Sequence, residues 1–443
     1  MDTVLLYILG IVIMIVGLAL SIGLHEVGHL VPAKLFGVRV GQYMIGFGPT
    51  LWSRRFGETE YGLKAVPLGG YISMSGMYPP AKGESVSRDA STGFFQTLMQ
   101  DARSASDQTI EPGHEERVFY KLAVWKRMII MLGGPFMNLV IGVLMYAIVL
   151  CGFGVPQLTT TVGGVNECVL PATSERQDCL TTDPEAPGAA AGILPGDEIL
   201  EMNGETIESW EQATQIIRSL PGETIDMVVL RDGAEVELEA EPLLTERYVS
   251  NDDGTAYLEN EEGEFLTEEV GFLGISVATE VVPQPATAVL PAVGDNIARV
   301  ANMILNLPQR LIDIANAAFG PGERDPNGPV SVVGVGRLAG EITSLNTIPV
   351  AERAASLIQL LGALNIALFV FNLIPLLPLD GGHVAGAVWE GVRRFFAKLF
   401  GRKDPGPVDI ARFIPLTLLV IGLIGAMSLL LIYADIVKPI SIL

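Results

Sequence analysis

His25-Glu26-Val27-Gly28-His29 is the stretch of this chain whose residue types and spacing spell out a reaction. On a helix, residues four apart share a face, so both imidazoles reach one Zn2+ ion. Glu26, next to the first imidazole, reaches a water beside that ion as a general base. The bare pattern recurs by chance, and its setting is what sharpens it. The chain has four histidines, and two of them stand here, at the end of a long apolar run. A glutamate and two histidines at the margin of a membrane segment are costly unless they perform a task. The bland alternative is a polar cluster that merely caps the span.

Catalytic zinc takes three protein ligands and keeps one open position. The third ligand must come from His114, His383 or the few acids that border apolar runs. His114 lies in a polar stretch, 111–117, and reads as solvated. Residues 371–383, FNLIPLLPLDGGH, close another apolar run, and Asp380 is their only acid, beside Gly381 and Gly382. A carboxylate there must be neutralised, paired or bound to a metal. Asp380 is the preferred third ligand, with His383, three residues later, as the open alternative.

The elements that must position these residues are visible in how charge is distributed. The 443 residues carry a net charge of −22 and yet a mean hydropathy of +0.42, with 49% apolar and 18% charged residues. The conflict resolves because the charge is segregated. Residues 154–350 hold 33 Asp/Glu against 8 Arg and no Lys, a net −25 that leaves +3 for the rest. Two stretches lean basic: 30–127, with 12 Lys/Arg against 9 Asp/Glu, and 376–412, with 6 against 4. No Lys/Arg-rich stripe suggests nucleic-acid binding, and three cysteines exclude a small disulfide framework.

Four uncharged runs separate these blocks, at 3–24, 128–154, 354–379 and 413–434. Each matches the ~20 residues that cross a bilayer, where the backbone must satisfy itself and is therefore helical. A signal peptide is the other reading of the first run, but it lacks a basic start and a cleavage site. The Lys/Arg bias puts the loops after the first and third helices in the cytoplasm, marked by Lys121, Lys126, Arg127, Arg393 and Arg394. The N-terminus, the acidic block and the C-terminus are then extracytoplasmic. There an oxidising compartment permits a Cys168–Cys179 bridge, against the alternative of two free thiols; Cys151, within a membrane run, reads as a packing residue.

Within the acidic block, Ile225–Arg231 and Ala234–Ala240 read as strands joined by an Asp232-Gly233 hairpin turn, after a helical stretch at 209–220. The segment 187–203, PGAAAGILPGDEILEMN, resembles part of the PDZ domains of bacterial proteases, through Gly192 to Asp197 and Asn203-Gly204. Such domains bind an extended segment by strand addition. One copy fits. Residues 246–269 are too polar for another core and read as a loop or β-excursion. In 281–320, apolar residues recur at helical spacing up to Pro308 and again after it. These are two amphipathic helices, either at the membrane surface or packed on the PDZ domain. Residues 79–116 are Ser-, Gly- and Asp-rich, which suggests partial disorder.

HEVGH in a first membrane helix, with Asn-x-x-Pro and Leu-Asp-Gly-Gly in a third, resembles the site-2 proteases, intramembrane zinc metalloproteases. The single PDZ domain between the second and third helices resembles their regulator-of-sigma-E (RseP-like) branch, in its actinobacterial form. Gly46-Phe47-Gly48-Pro49, Gly69-Gly70-Tyr71 and Gly133-Gly134-Pro135-Phe136-Met137-Asn138 match in the same order.

The resemblance implies that His25, His29 and Asp380 hold Zn2+ and that Glu26 is the catalytic base. It implies that Asn372 and Pro375 help hold the substrate chain. Gly69, Gly70 and Tyr71 lie in the 69–77 stretch, which would be part of a membrane-dipping β-hairpin that takes the substrate as an added strand. That is sensible physics, because a transmembrane helix hides its amides and must unwind to be cut. One departure is Leu377, where the family pattern has a second proline; here the proline is Pro378.

The expected fold is a polytopic α-helical membrane protein, with four transmembrane helices, a membrane-associated β-hairpin region and one extracytoplasmic β-rich α+β PDZ domain. Its order is helix 1 (1–30), cytoplasmic loop with re-entrant hairpin (31–127), helix 2 (128–154), PDZ domain (155–245), post-PDZ segment with amphipathic helices (246–350), helix 3 (351–379), cytoplasmic loop (380–411), helix 4 (412–434) and tail (435–443). The function implied is the second cut in regulated intramembrane proteolysis of single-span substrates of the anti-sigma-factor type, in the bacterial inner membrane. The active site would face the cytoplasmic side, and the PDZ domain would contact the substrate stub or its new C-terminus. Clearance of remnant signal peptides by the same site, a non-catalytic PDZ adaptor and a transporter are the alternatives. Four helices without an inverted repeat argue against the last.

Overall fold

The structure is a computed structural model and describes residues 3–79, 103–110, 113–174, 176, 178–249, 258, 265–320, 324–325 and 328–440. The expectation for 79–116 lies largely outside the described residues. Two compact units emerge: residues Met1–Phe153 with Pro285–Leu443, and Gly154–Gln284.

The first unit is built on four long apolar helices: α1 (Thr3–Leu35), α2 (Val124–Ala147), α7 (Val350–Asn372) and α9 (Ile414–Val437). Each is long and apolar enough to cross a membrane. They expose many large apolar side chains, such as Leu5, Ile8 and Val12 on α1 and Leu419 and Leu423 on α9. A water-soluble protein buries such residues, and a lipid-facing one need not. The chain is thus a membrane protein with a β-rich unit. The helix boundaries differ from the sequence reading in an instructive way. The first helix, placed at 1–30 in the sequence reading with His25 to His29 inside it, continues to Leu35. The third stops at Asn372 rather than near 379. Pro375 and Pro378 disfavour helical backbone at the residues before them.

Between α1 and α2, β1 (Val40–Phe56) and β2 (Thr59–Met74) form a bent ribbon. Its register doubles: Met44 pairs with Tyr71 on one side and with Gly62 on the other, while Trp52 to Phe56 pair with Leu63 to Thr59. Residues 70–74 therefore form an outer edge. The base of the ribbon is anchored by Val38, Val40 and Met74 packed against Leu30, Ile130 and Met131 of α1 and α2.

The 281–320 region forms two helices, α4 (Val289–Leu305) and α5 (Leu307–Phe319), broken before Pro308 as expected. Their apolar faces have a different destination from either reading. Val289 and Val293 of α4 pack with Tyr146 and Ile366, and Ile314 and Ala318 of α5 pack with Leu431 and Ala434 of α9. A further helix, α6 (Val332–Ser344), packs Val335 and Ala339 on Met14 and Leu357. The membrane helices supply the cover because their own apolar faces need partners too. Helix α8 (Asp380–Leu399) follows α7 in this unit.

The Gly154–Gln284 unit is a sheet in the order β9-β3-β4-β5-β6, formed by Ile275–Val282, Val155–Val165, Glu198–Met202, Ile225–Arg231 and Ala234–Ala240, with α3 (Trp210–Ser219) packed on it. Two further strands, β7 (Leu243–Tyr248) and β8 (Thr267–Phe272), pair outside it. This corrects the expected boundary at 245. The unit runs to Gln284 because β9 supplies the strand that pairs with β3. Asp232 and Gly233 both take positive φ, as a two-residue hairpin turn requires. Ser209 caps α3 by accepting from the Gln212 N–H. Ile199, Met202, Ile225, Met227 and Leu273 fill the core. Cys168 and Cys179 are bridged.

Candidate metal centre

Asp197, in the Pro195-Gly196-Asp197 turn, is a buried acid with a satisfied role, and it calibrates the others. It accepts from Arg231 at 2.8 and 2.7 Å and from the Leu194 N–H at 2.8 Å. The Arg231 guanidinium holds its carboxyl below the usual range.

The acids and imidazoles of the first unit are arranged otherwise. His25 and His29 lie on one face of α1, as their spacing requires, and Asp380 is the first residue of α8. His25 Nε2 lies 3.2 Å from His29 Nε2, and Asp380 Oδ2 lies 3.4 and 3.3 Å from the two nitrogens. His29 donates its Nδ1–H to the Ile130 carbonyl at 2.7 Å, which fixes its tautomer and leaves a lone pair on Nε2. Asp380 Oδ2 is buried and makes no hydrogen bond. Converging lone pairs repel unless a cation lies between them. With metal–ligand bonds of about 2.0–2.1 Å, tetrahedral angles place neighbouring donors roughly 3.3–3.4 Å apart. The observed spacings fit that, so these three residues fit a zinc ion.

Glycines make the approach possible. A Cβ at Gly28 would fall 2.2 Å from the Gly133 carbonyl oxygen, so α1 and α2 meet backbone to backbone. A Cβ at Gly134 would fall 2.2 Å from His29 Nε2 and 2.7 Å from His25 Nε2. On the other side, a Cβ at Gly381 would lie 2.3 Å from the Ile374 carbonyl oxygen. The glycine pair after Asp380 thus lets α8 start tightly against the segment leaving α7.

A second ring of contacts orients the donors. Asn138 of α2 is 1% exposed, and its amide lies 3.1 Å from His25 Nδ1. Its Oδ1 is buried without a partner. Turning the amide over satisfies both groups: Nδ1–H of His25 donates to Oδ1, and Nε2 keeps its lone pair. Asn365 of α7 donates to Ser21 Oγ at 3.0 Å, one turn before His25, and ties α7 to α1.

Glu26 points to the ribbon. A Cβ at Gly70 would lie 3.1 Å from Glu26 Cγ. The outer edge of β2 therefore faces the cluster. Among the described residues, no strand pairs with that side.

The other sequence-predicted residues scatter more. Gly69 has φ +107, and a Cβ there would strike the Phe47 ring. Tyr71 faces the ribbon, where its hydroxyl donates to Gln42 at 3.2 Å. Asn372 ends α7, and Pro375 lines a cavity of about 210 Å³ with Gly382, Trp389 and Phe413. His383 is outside the converging set, and its Nδ1 is buried without a partner. His114 lies in a turn, where its carbonyl accepts from the Arg117 N–H. Sequence reasoning gave Gly134 and Asn138 no role. Their signal was present, since both belong to the Gly133–Asn138 motif, but nothing in one sequence says that they face His25.

The profile of peptidase family M50 matches residues 13–403. The chain is 33% identical to "Zinc metalloprotease Rip1" of Mycobacterium tuberculosis over 99% of each chain. It is likewise 33% identical to the Rip1 of Mycolicibacterium smegmatis over 98% of each. It is 27% identical to "Metalloprotease MmpA" of Caulobacter vibrioides over 87% of this chain and 88% of that one.

Proposed function

The chain belongs to peptidase family M50, the site-2 proteases, and is a zinc metalloprotease of the membrane; from this premise we propose that it makes the site-2 cut in the transmembrane segments of single-span proteins. The observation that carries the reading is the convergence of His25, His29 and Asp380 beside Glu26, on helices that are apolar on their outer faces.

In this reading the two imidazoles and the Asp380 carboxylate hold the metal. Zinc, when bound, supplies Lewis acidity that polarises a scissile carbonyl and makes a water easier to deprotonate at neutral pH. Glu26 takes the proton from the attacking water and passes it to the leaving amide nitrogen. Asn138 and the Ile130 carbonyl keep both imidazoles presenting Nε2. The open edge at 70–74 takes the unwound substrate as an added strand, which satisfies amides that the substrate's own helix has released. Asn372 and Pro375 hold the same chain from the α7 side.

We assign the Gly154–Gln284 unit as a PDZ domain outside the cytoplasm, touching the substrate stub or its new C-terminus. The basic loops place the site toward the cytoplasmic side of the inner membrane. Substrates of the anti-sigma-factor type, already trimmed outside, fit this arrangement. The complete donor set weighs against a non-catalytic adaptor.

The test is a Glu26→Gln chain co-expressed with a model single-span substrate. Zinc content should stay stoichiometric, cleavage should fall by about 10²–10⁴, and uncut substrate should co-purify. Undiminished cleavage would overturn the assignment.

A further inference from the structure

α8 begins at Asp380, but its second half has no part in the metal centre. Counting about 100° per residue, Trp389, Val392, Phe395, Phe396, Leu399 and Phe400 fall within an arc of roughly 140°. All six are exposed, Trp389 at 59%, Phe395 at 63% and Phe400 at 68%. The opposite side is where the helix is held. Glu390, 0% exposed, pairs with Arg127 of α2 at 2.5 Å and accepts from the Val408 N–H at 2.9 Å. The wide apolar face is thus not the side by which α8 packs.

Charge says what covers it. Arg393 borders one margin of the arc and Lys398 lies past the other, and Arg402 and Lys403 follow at once. From 389 to 403 there are five basic residues, and the single acid, Glu390, is buried and paired. With charges along its length, α8 is not among the membrane-spanning helices. It starts eight residues after α7 ends. An amphipathic helix with aromatic residues on one face and basic residues at its margins, starting where a membrane span ends, has the chemistry of an interfacial segment. Basic groups at that level attract anionic headgroups.

We propose that α8 lies in the headgroup region and binds an anionic phospholipid surface through Trp389, Phe395, Phe396 and Phe400, with Arg393, Lys398, Arg402 and Lys403 on the headgroups. This surface is separate from the proteolytic reading and does not depend on it.

The test uses the full chain with Cys151→Ala and a spin label at Val392→Cys, in nanodiscs of phosphatidylcholine alone or mixed with phosphatidylglycerol. Oxygen and nickel-chelate accessibilities report label depth. In the anionic discs the label should sit about 5–10 Å below the phosphates, deeper than in the neutral discs. Added salt should shift it outward in the anionic discs only, because exposed charges are screened. Joint reversal R393E, K398E, R402E and K403E should abolish the difference between the lipids. Equal depth in both lipids would overturn the proposal. So would a label shielded from both probes with a short inter-label distance, which would mean a second copy of the chain covers this face. The salt titration needs no charge variant, so it decides even where the reversal variant does not fold.

Discussion

Asp197 and Asp380 are both aspartates with little exposure, 1% and 18% at the side chain, in two different units of the chain. Asp197 meets a guanidinium and a main-chain N–H in good geometry. It closes the turn that starts β4. Asp380 meets two imidazole nitrogens at 3.4 and 3.3 Å, without a hydrogen bond on Oδ2. A buried polar group with a complete set of partners is part of how a fold holds itself. One whose lone pairs converge with two others on a point is spending stability on a ligand. The difference lies in what each acid lacks.

The sharpest way to break that contrast is to neutralise each acid in turn. Asp380→Asn keeps the shape and removes the charge from the ligand set. It should cost most of the bound zinc and at least 10²-fold in cleavage, read by metal analysis and by assay of a transmembrane substrate. Asp197→Asn should leave zinc and cleavage of a short substrate within about twofold. If the two variants lose zinc alike, Asp380 is a structural acid and the contrast fails.

Gly134→Ala tests the same contrast without touching a titratable group. The added methyl would need the space of His29 Nε2. Zinc affinity should fall by at least 10-fold, because donor geometry within a fraction of an ångström decides binding. Chelator competition measures this. The second unit offers the matched control: Gly192, where a Cβ meets nothing, although its φ of +76 strains any substitution. Gly192→Ala should loosen that unit and leave zinc affinity alone.

How much of this was legible in the sequence depends on whether the signal is local. The His25–His29 face follows from helix period alone. The Asp232-Gly233 turn follows from its own two residues. Charge segregation gave the helical runs. Other features depend on contacts remote in sequence. β9 joins the sheet at a separation from β3 that no periodicity encodes. The apolar faces of α4 and α5 showed that they needed cover, yet not that Tyr146, Ile366 and Leu431 would provide it. Asn138 lies 113 residues from His25. Between Asp380 and His383, three residues apart, spacing could not choose; in the structure Asp380 converges with His25 and His29 and His383 does not.

Asn138 sharpens the comparison from a middle distance. In our reading it holds the His25 tautomer by accepting from Nδ1–H. Asn138→Ala should therefore weaken zinc binding by about 10–100-fold. Asn138→Asp keeps an acceptor at the same place and should restore much of the loss. Equal loss in both variants would make Asn138 a packing residue and leave His25 oriented by the helix alone.

The smallest effect belongs to Asp197, and it is a stability effect with a defined direction in pH. Its folded pKa is lowered, first by the hydrogen bonds from Arg231. A group of that kind contributes stability that is fully present above its unfolded pKa, about 3.9, and that drains away as pH falls through its folded value. Charged hydrogen bonds of this type are worth about 2 kcal/mol. At neutral pH, amides of Ile225–Arg231 should exchange faster in Asp197→Asn than in the natural chain, by up to about 30-fold if the whole difference appears in local opening. Measured on the full chain, and corrected for intrinsic exchange at each pH, that ratio should shrink toward one as the pH falls below about 3.9. The protonated natural carboxyl then loses what the amide never had. A ratio that stays constant across the acid range would mean that Arg231 holds the turn through shape and not through charge, and that the satisfied acid and the converging one differ less than their partners suggest.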